Sequence, residues 1–231
     1  YGTPDPQTSQ MHYAAIQFLQ ESSRLYVTRV AEADALTAGA YLSVDDLTAQ
    51  RPILKLTNFD DGTNQPLGRA NPLVNVGFDP AQAGVDRILG FFCAANPGTW
   101  NNELFIRVRP STKPGVADPD NPLLFYVDVF LNYKSRRQAP NESFLVCRDW
   151  FMDGYGEQLH IEEVINRRSN LIRYRANPYA PLNVNVFNVA TEYLNGATNG
   201  SRVREGLVVQ GWELYRDPEQ LDVNILIQGG Y

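Results

Sequence analysis

Side chains suited to chemistry are few in this chain. It has two histidines, His12 and His160, and two cysteines, Cys93 and Cys147. A zinc site draws on three or four clustered His, Cys or carboxylate ligands, and His160-Ile161-Glu162-Glu163 is not the H-E-x-x-H pattern. Each cysteine lies inside an apolar stretch, so both are expected as buried thiols acting as small hydrophobes. Adjacent acids occur at Asp45-Asp46, Asp60-Asp61 and Glu162-Glu163. Glycoside cleavage needs two carboxylates about 5–10 Å apart across a cleft. Neighbours in sequence point in different directions, so each pair reads as a solvated face or a turn. Asp60-Asp61-Gly62-Thr63-Asn64 lacks the ligand spacing and closing Glu of a calcium loop and reads as a type I turn. There is no G-x-S-x-G elbow, no phosphate loop and no dinucleotide fingerprint. The tripeptides Asn141-Glu142-Ser143 and Asn199-Gly200-Ser201 fit a glycosylation sequon that is common by chance. The chain is therefore expected not to be an enzyme, and to hold no metal and no cofactor.

Composition sets the class. At 231 residues the chain can bury a substantial core without staples, and 12 tyrosines among 11% aromatics favour β-rich structure. A net charge of −6 disfavours nucleic acid as a partner, and the one basic run, Lys134 to Arg137, is too short to reverse that. No run of about 18 apolar residues is present, so membrane insertion is not expected, and the N-terminus lacks a leader-like pattern. The chain begins at Tyr1 and closes on Val223 to Ile227 and Gly229-Gly230, so both ends are expected to be cut from a longer chain.

The elements that must position any site follow from periodicity. Met11, Ala14, Ala15, Phe18 and Leu19 recur at helical spacing after Ser9, an N-cap. Leu25 to Val30 reads as a buried strand. From Ala33 to Asp79, short apolar runs (Ile53 to Leu56, Leu73 to Val76) alternate with turns and prolines, which suggests a small β-rich insertion. Asp79-Pro80 has the form of a helix start. Arg87 to Ala94, Glu103 to Arg109, Leu123 to Tyr133 and Glu142 to Arg148 read as an antiparallel sheet. Glu157 to Asn166 predicts a helix, and Asn170 to Arg175, Asn183 to Val189, Gly206 to Tyr215 and Leu221 to Gln228 predict strands. The expected class is α+β: a two-layer α/β sandwich core with a mostly antiparallel sheet, over residues 1–32 and 80–231, plus an inserted β-rich domain over 33–79.

Two blocks are more specific. Ala94-Ala95-Asn96-Pro97-Gly98-Thr99-Trp100-Asn101-Asn102, leading into a strand, resembles the A-x-x-P-G-T-W-G-N segment of contractile phage tail sheath proteins. Gly154 to Leu171, GYGEQLHIEEVINRRSNL, is similar to that family's glycine turn, I-E-x-V-I-N helix and S-x-L segment. Three flanking stretches agree: AAIQFLQESSRLYVTRV at Ala14 to Val30, Glu142-Ser143-Phe144, and DPEQLDVNILIQGG at Asp217 to Gly230. The fold-defining positions are Pro97, Gly98, Thr99, Trp100, Asn102, Glu142, Gly156, Ile161, Glu162, Ile165, Asn166 and Ser169. Asn101 departs from the family's usual Gly, and Asn tolerates the positive φ that a glycine there would serve. Pro97 fixes φ, Gly98 permits a left-handed step and Trp100 is a large apolar anchor, so the segment is expected to be a rigid corner between strands.

The resemblance implies a mechanical subunit, protease-trimmed or truncated here, whose copies stack in six-fold rings into a helical sleeve around a tail tube. It implies as partners other copies of itself, the tail tube protein, and baseplate and tail terminator proteins. It places the protein in the virion tail, after assembly in the host bacterial cytoplasm. Contraction would be rigid-body repacking out of a kinetically trapped lattice, with no nucleotide consumed. Family subunits exchange terminal strands, and since those arms look missing, a monomer is expected. Pyocin-like and type VI injection sheaths share the fold. A carbohydrate-binding or glycan-cleaving β-rich domain is the alternative from a different class.

Overall fold

The structure is a computed structural model that describes residues 10–28, 30–47, 49, 52–58, 78, 84–111, 124–182 and 184–217. The chain divides into two compact units, one formed by 36–198 and the other by 1–35 with 199–231. The fold is α+β, as the sequence suggests, and the described residues form two antiparallel four-stranded sheets and three α-helices.

In the 36–198 unit the strands are β1 (Gly39–Val44), β2 (Leu54–Asn58), β3 (Ile88–Ala94), β4 (Leu104–Pro110), β5 (Phe125–Leu131), β6 (Glu142–Val146), β7 (Ile172–Ala176) and β8 (Ala190–Tyr193). Helix α2 (Ile161–Arg168) lies between β6 and β7. One sheet has the order β2-β1-β3-β7 and the other β6-β5-β4-β8. Alternation along β4 buries Leu104, Ile106 and Val108 and turns Arg107 and Arg109 to the other face. Val127 and Val129 of β5, Phe144 and Val146 of β6, and Ile161 and Ile165 of α2 join the same core as Leu42, Phe92 and Tyr174 of the first sheet. Each such fully buried side chain is worth about 1.5–3 kcal/mol relative to exposure. Strand β3 reads as a continuous apolar run because both its faces are covered, with Phe91 and Cys93 packing against Tyr41, Phe78 and Val85.

The segment 33–79 was expected to form an inserted domain. Instead β1 and β2 are strands of the same sheet as β3 and β7, in register Leu42↔Gly90 and Leu42↔Leu56. Apolar β1, buried at five of its six positions, finds its partners in that core. Leu73 to Val76 and the expected helix start at Asp79 lie outside the described residues; Val85–Arg87 is a short 3-10 helix. The expected strand at 183–189 is not a ladder strand over 184–189, and the ladder forms one step later at β8, where β4 offers an edge. Val184 and Val186 are still buried, so their alternation serves packing without pairing. The helix expected from Glu157 starts at Ile161, because Gln158 and His160 bridge to Met152 and Cys147.

In the other unit, α1 (Gln10–Glu21) forms as its spacing predicts. Of the expected strand from Leu25 to Val30, the described residues 25–28 and 30 lie in no strand, and Tyr26 and Val27 stay exposed: propensity without a partner edge makes no ladder. The stretch 206–215, expected as a strand, is helix α3 (Glu205–Glu213) followed by a turn. Val208 and Gly211 share its buried side, and a Cβ at Gly211 would come within 2.8 Å of Val30 Cγ2, so the glycine allows the close approach. Glu32 accepts three hydrogen bonds from Arg204. Leu221 to Gln228 lies outside the described residues.

Candidate functional site

The sequence-predicted positions fall into two places, both in the 36–198 unit. The first is the corner between β3 and β4. Gly98 is buried with φ 123°, a value that favours glycine, and its N–H donates to Leu36 O at 3.1 Å. Thr99 opens a 3-10 turn that runs to Glu103, and Pro97 and Trp100 are half-buried, Trp100 against the core. Asn101 does not have the positive φ expected of it: among the described non-glycine residues only Asn132 does. Asn101 is instead fully buried within the 3-10 turn, its Nδ2 donating to Asn96 O at 2.5 Å, so the side chain ties the corner that a glycine would only permit. Asn102 behaves as a piece of strand, since its Nδ2 donates to Ala197 O and its Oδ1 accepts from Ala197 N–H.

The second place is the outer edge of β7. An uncovered edge strand exposes a row of N–H and C=O groups open to pairing with another chain. Here α2 closes it. Asn166 Oδ1 accepts from Tyr174 N–H and its Nδ2 donates to Tyr174 O, both at 2.9 Å. Glu162 Oε2 accepts from Ala176 N–H at 2.9 Å, and Ser169 Oγ accepts from Ile172 N–H at 2.9 Å. The match is geometric. Four helical residues rise about 6 Å and two strand residues advance about 6.8 Å, so α2 running against β7 meets every second residue of the strand. Ser169 also donates to Glu142 Oε2 at 2.6 Å, and Asn170 N–H donates to Glu142 Oε1 at 2.9 Å, which caps the end of α2 from β6. Ile161 and Ile165 anchor the helix in the core. Gly156, at φ 80°, sits in the turn of the 149–158 hairpin. The two places are joined by Ala95 N–H donating to Leu171 O at 2.9 Å.

Two further clusters were not read from the sequence. Asp128, fully buried, accepts from Arg107, Arg109 and Ser143. Burial pulls its carboxyl up, but the bonds from Arg109, Ser143 and Arg107 outweigh that and hold it below the usual carboxylate range. A lone acid in the apolar strand FYVDVFL was the available signal, since such an acid needs a partner. Arg148 is also buried, and its guanidinium donates to the carbonyls of Leu89, Asn177, Ala180 and Pro181. Nothing in its sequence neighbourhood marks it.

The reactive side chains are held quiet. Burial pushes the Cys93 thiol up to about 12 and the Cys147 thiol up to about 11, so neither is a thiolate near neutrality. His160 is buried under Trp150, ring on ring at 4.5 Å, and burial lowers its pKa. Among the described residues no three His, Cys, Asp or Glu side chains come together as a metal site, and no helix is long and apolar enough to cross a membrane. No protein-family model matches the chain, and no curated protein matches it.

Proposed function

We propose that the chain is a structural subunit of a contractile phage tail sheath, acting by assembly with copies of itself around a tail tube. The observation that supports the reading is that sequence blocks resembling that family, far apart in the chain, meet in one bonded unit. Glu142 reaches Ser169 and Asn170, the segment after α2 reaches the corner at Ala95, and α2 closes β7. A unit clamped in this way suits rigid-body repacking, in which interfaces change and the subunit does not. Tail tube, baseplate and terminator proteins are the partners on this reading, and the virion tail is its place. A pyocin-like or type VI sheath would use the same unit, and genomic neighbours separate these. Negative-stain electron microscopy of the concentrated gene product tests the proposal: long hollow striated tubes are expected, and discrete small particles alone would overturn it.

A carbohydrate-binding reading would rest on Trp150, 64% exposed, as a stacking platform. Heat stabilisation by a member of a glycan panel would support it, and its absence would dismiss it.

A further inference from the structure

Two exposed features stand out on the 36–198 unit. The 149–158 hairpin is rigid: Asp153 Oδ1 accepts from Tyr155 and Glu157 N–H, and Asp153 N–H donates to Glu157 O. It presents Trp150 and Met152 from alternate positions of one arm and Tyr155 from the tip, at 64%, 63% and 98% exposure. Asp149 and Asp153 add negative charge, and neither has a cation partner among the described residues. The second feature is the turn between β5 and β6. Gln138 braces it, accepting from Lys134 N–H and donating to Leu131 O. Lys134, Arg136 and Arg137 stand exposed there, with no ion pair among the described residues.

We propose that these two features bind each other between copies, the basic turn of one seated on the acidic aromatic hairpin of the next. Charge is complementary, and a guanidinium over a Trp or Tyr face is attractive. Both sides are pre-organised, which lowers the ordering cost of association. They lie at opposite ends of β6, about 17 Å long, so they cannot meet within one copy. The contact is therefore heterologous and repeats head to tail, closing into a ring or continuing as a helix. The inference rests on the self-assembly reading and deepens it by naming one contact.

Sedimentation velocity at about 50 mM salt, up to about 500 µM protein, tests it. Dilute, the native chain should be the 26.0 kDa monomer expected of a chain without terminal arms, and its mass should rise with concentration, a rise that high salt should suppress. The variants R136E/R137E and M152R/Y155R should each stay monomeric, with association weakened at least tenfold. Mixed in equal amounts they should regain association above 26.0 kDa, because one variant keeps the hairpin, the other keeps the turn, and the two altered surfaces carry opposite charges. Tyr155→Ala, at a position almost fully exposed, replaces the double hairpin variant if that one fails to fold. A native chain monomeric throughout, variants that associate like it, or a mixture that stays monomeric would each overturn the proposal. Tubes formed by R136E/R137E would reject this contact and leave the sheath reading standing; complementation without tubes would do the reverse.

Discussion

Replacing Asn166 with Ala tests whether α2 closes the β7 edge through side-chain bonds or merely rests beside it. The amide makes two bonds of 2.9 Å to one residue, Tyr174, donating to its C=O and accepting from its N–H. Each net hydrogen bond contributes about 0.5–1.5 kcal/mol, and a backbone group left without partner or water costs more. The expected loss is about 2–3 kcal/mol, or roughly 4–12 °C in Tm for a chain of this size. Urea unfolding should show a lower midpoint at unchanged slope, and amide exchange should show Tyr174 N–H losing protection while Arg173 and Arg175, whose strand faces β3 on the other side, keep theirs. A loss under about 0.5 kcal/mol with Tyr174 still protected would refute the reasoning, since the bonds would then be dispensable.

Asp128→Asn should cost about 2–3 kcal/mol, below the 3–5 typical of breaking a buried pair because Arg107 and Arg109 reach solvent; chemical denaturation measures it. Asp128 has a depressed folded pKa, so its contribution is present above the unfolded value of about 3.9 and is lost as pH falls through the folded value. Melting curves between pH 2 and 6 should show that acid loss in the native chain and less of it in the variant. His160 is also depressed, by burial, so the unfolded state takes up its proton first and stability falls on acidification below about 6.5. His160→Phe, which can keep the Trp150 stack, should flatten the profile between pH 7 and 5; an unchanged slope would sink this assignment. Gly90→Ala should lower stability by about 1–3 kcal/mol or more, because its Cβ would fall 2.3 Å from Tyr174 Oη and 2.4 Å from Arg175 O, and thermal melts report it.

The sequence by itself determined the elements whose residues agree with their surroundings. Apolar alternation marked β4, β5 and β7, and helical spacing marked α1 and the core of α2, because those periods are properties of the local chain. The corner at Pro97 to Asn102 was legible for the same reason, since proline and glycine constrain φ wherever they stand. What tertiary structure decided was pairing. Residues 25–28 and 184–189 have strand-like character but join no ladder, while β1 and β2 join the sheet of β3 and β7. Helix α3 overrides the strand propensity of its valines because Gly211 gives it a close seat on Val30. The roles of Glu162, Asn166 and Ser169 were visible only as a motif; their chemistry depends on a strand edge that lies 14, 8 and 3 residues later and that three-dimensional folding brings alongside. Asp128 could be flagged as an acid in need of a partner, but its two arginines come from β4 and its serine from β6, and Arg148 has partners on two separate segments, at Leu89 and at 177–181. Long-range pairing of polar groups is set by sheet register and loop closure, which local composition does not encode.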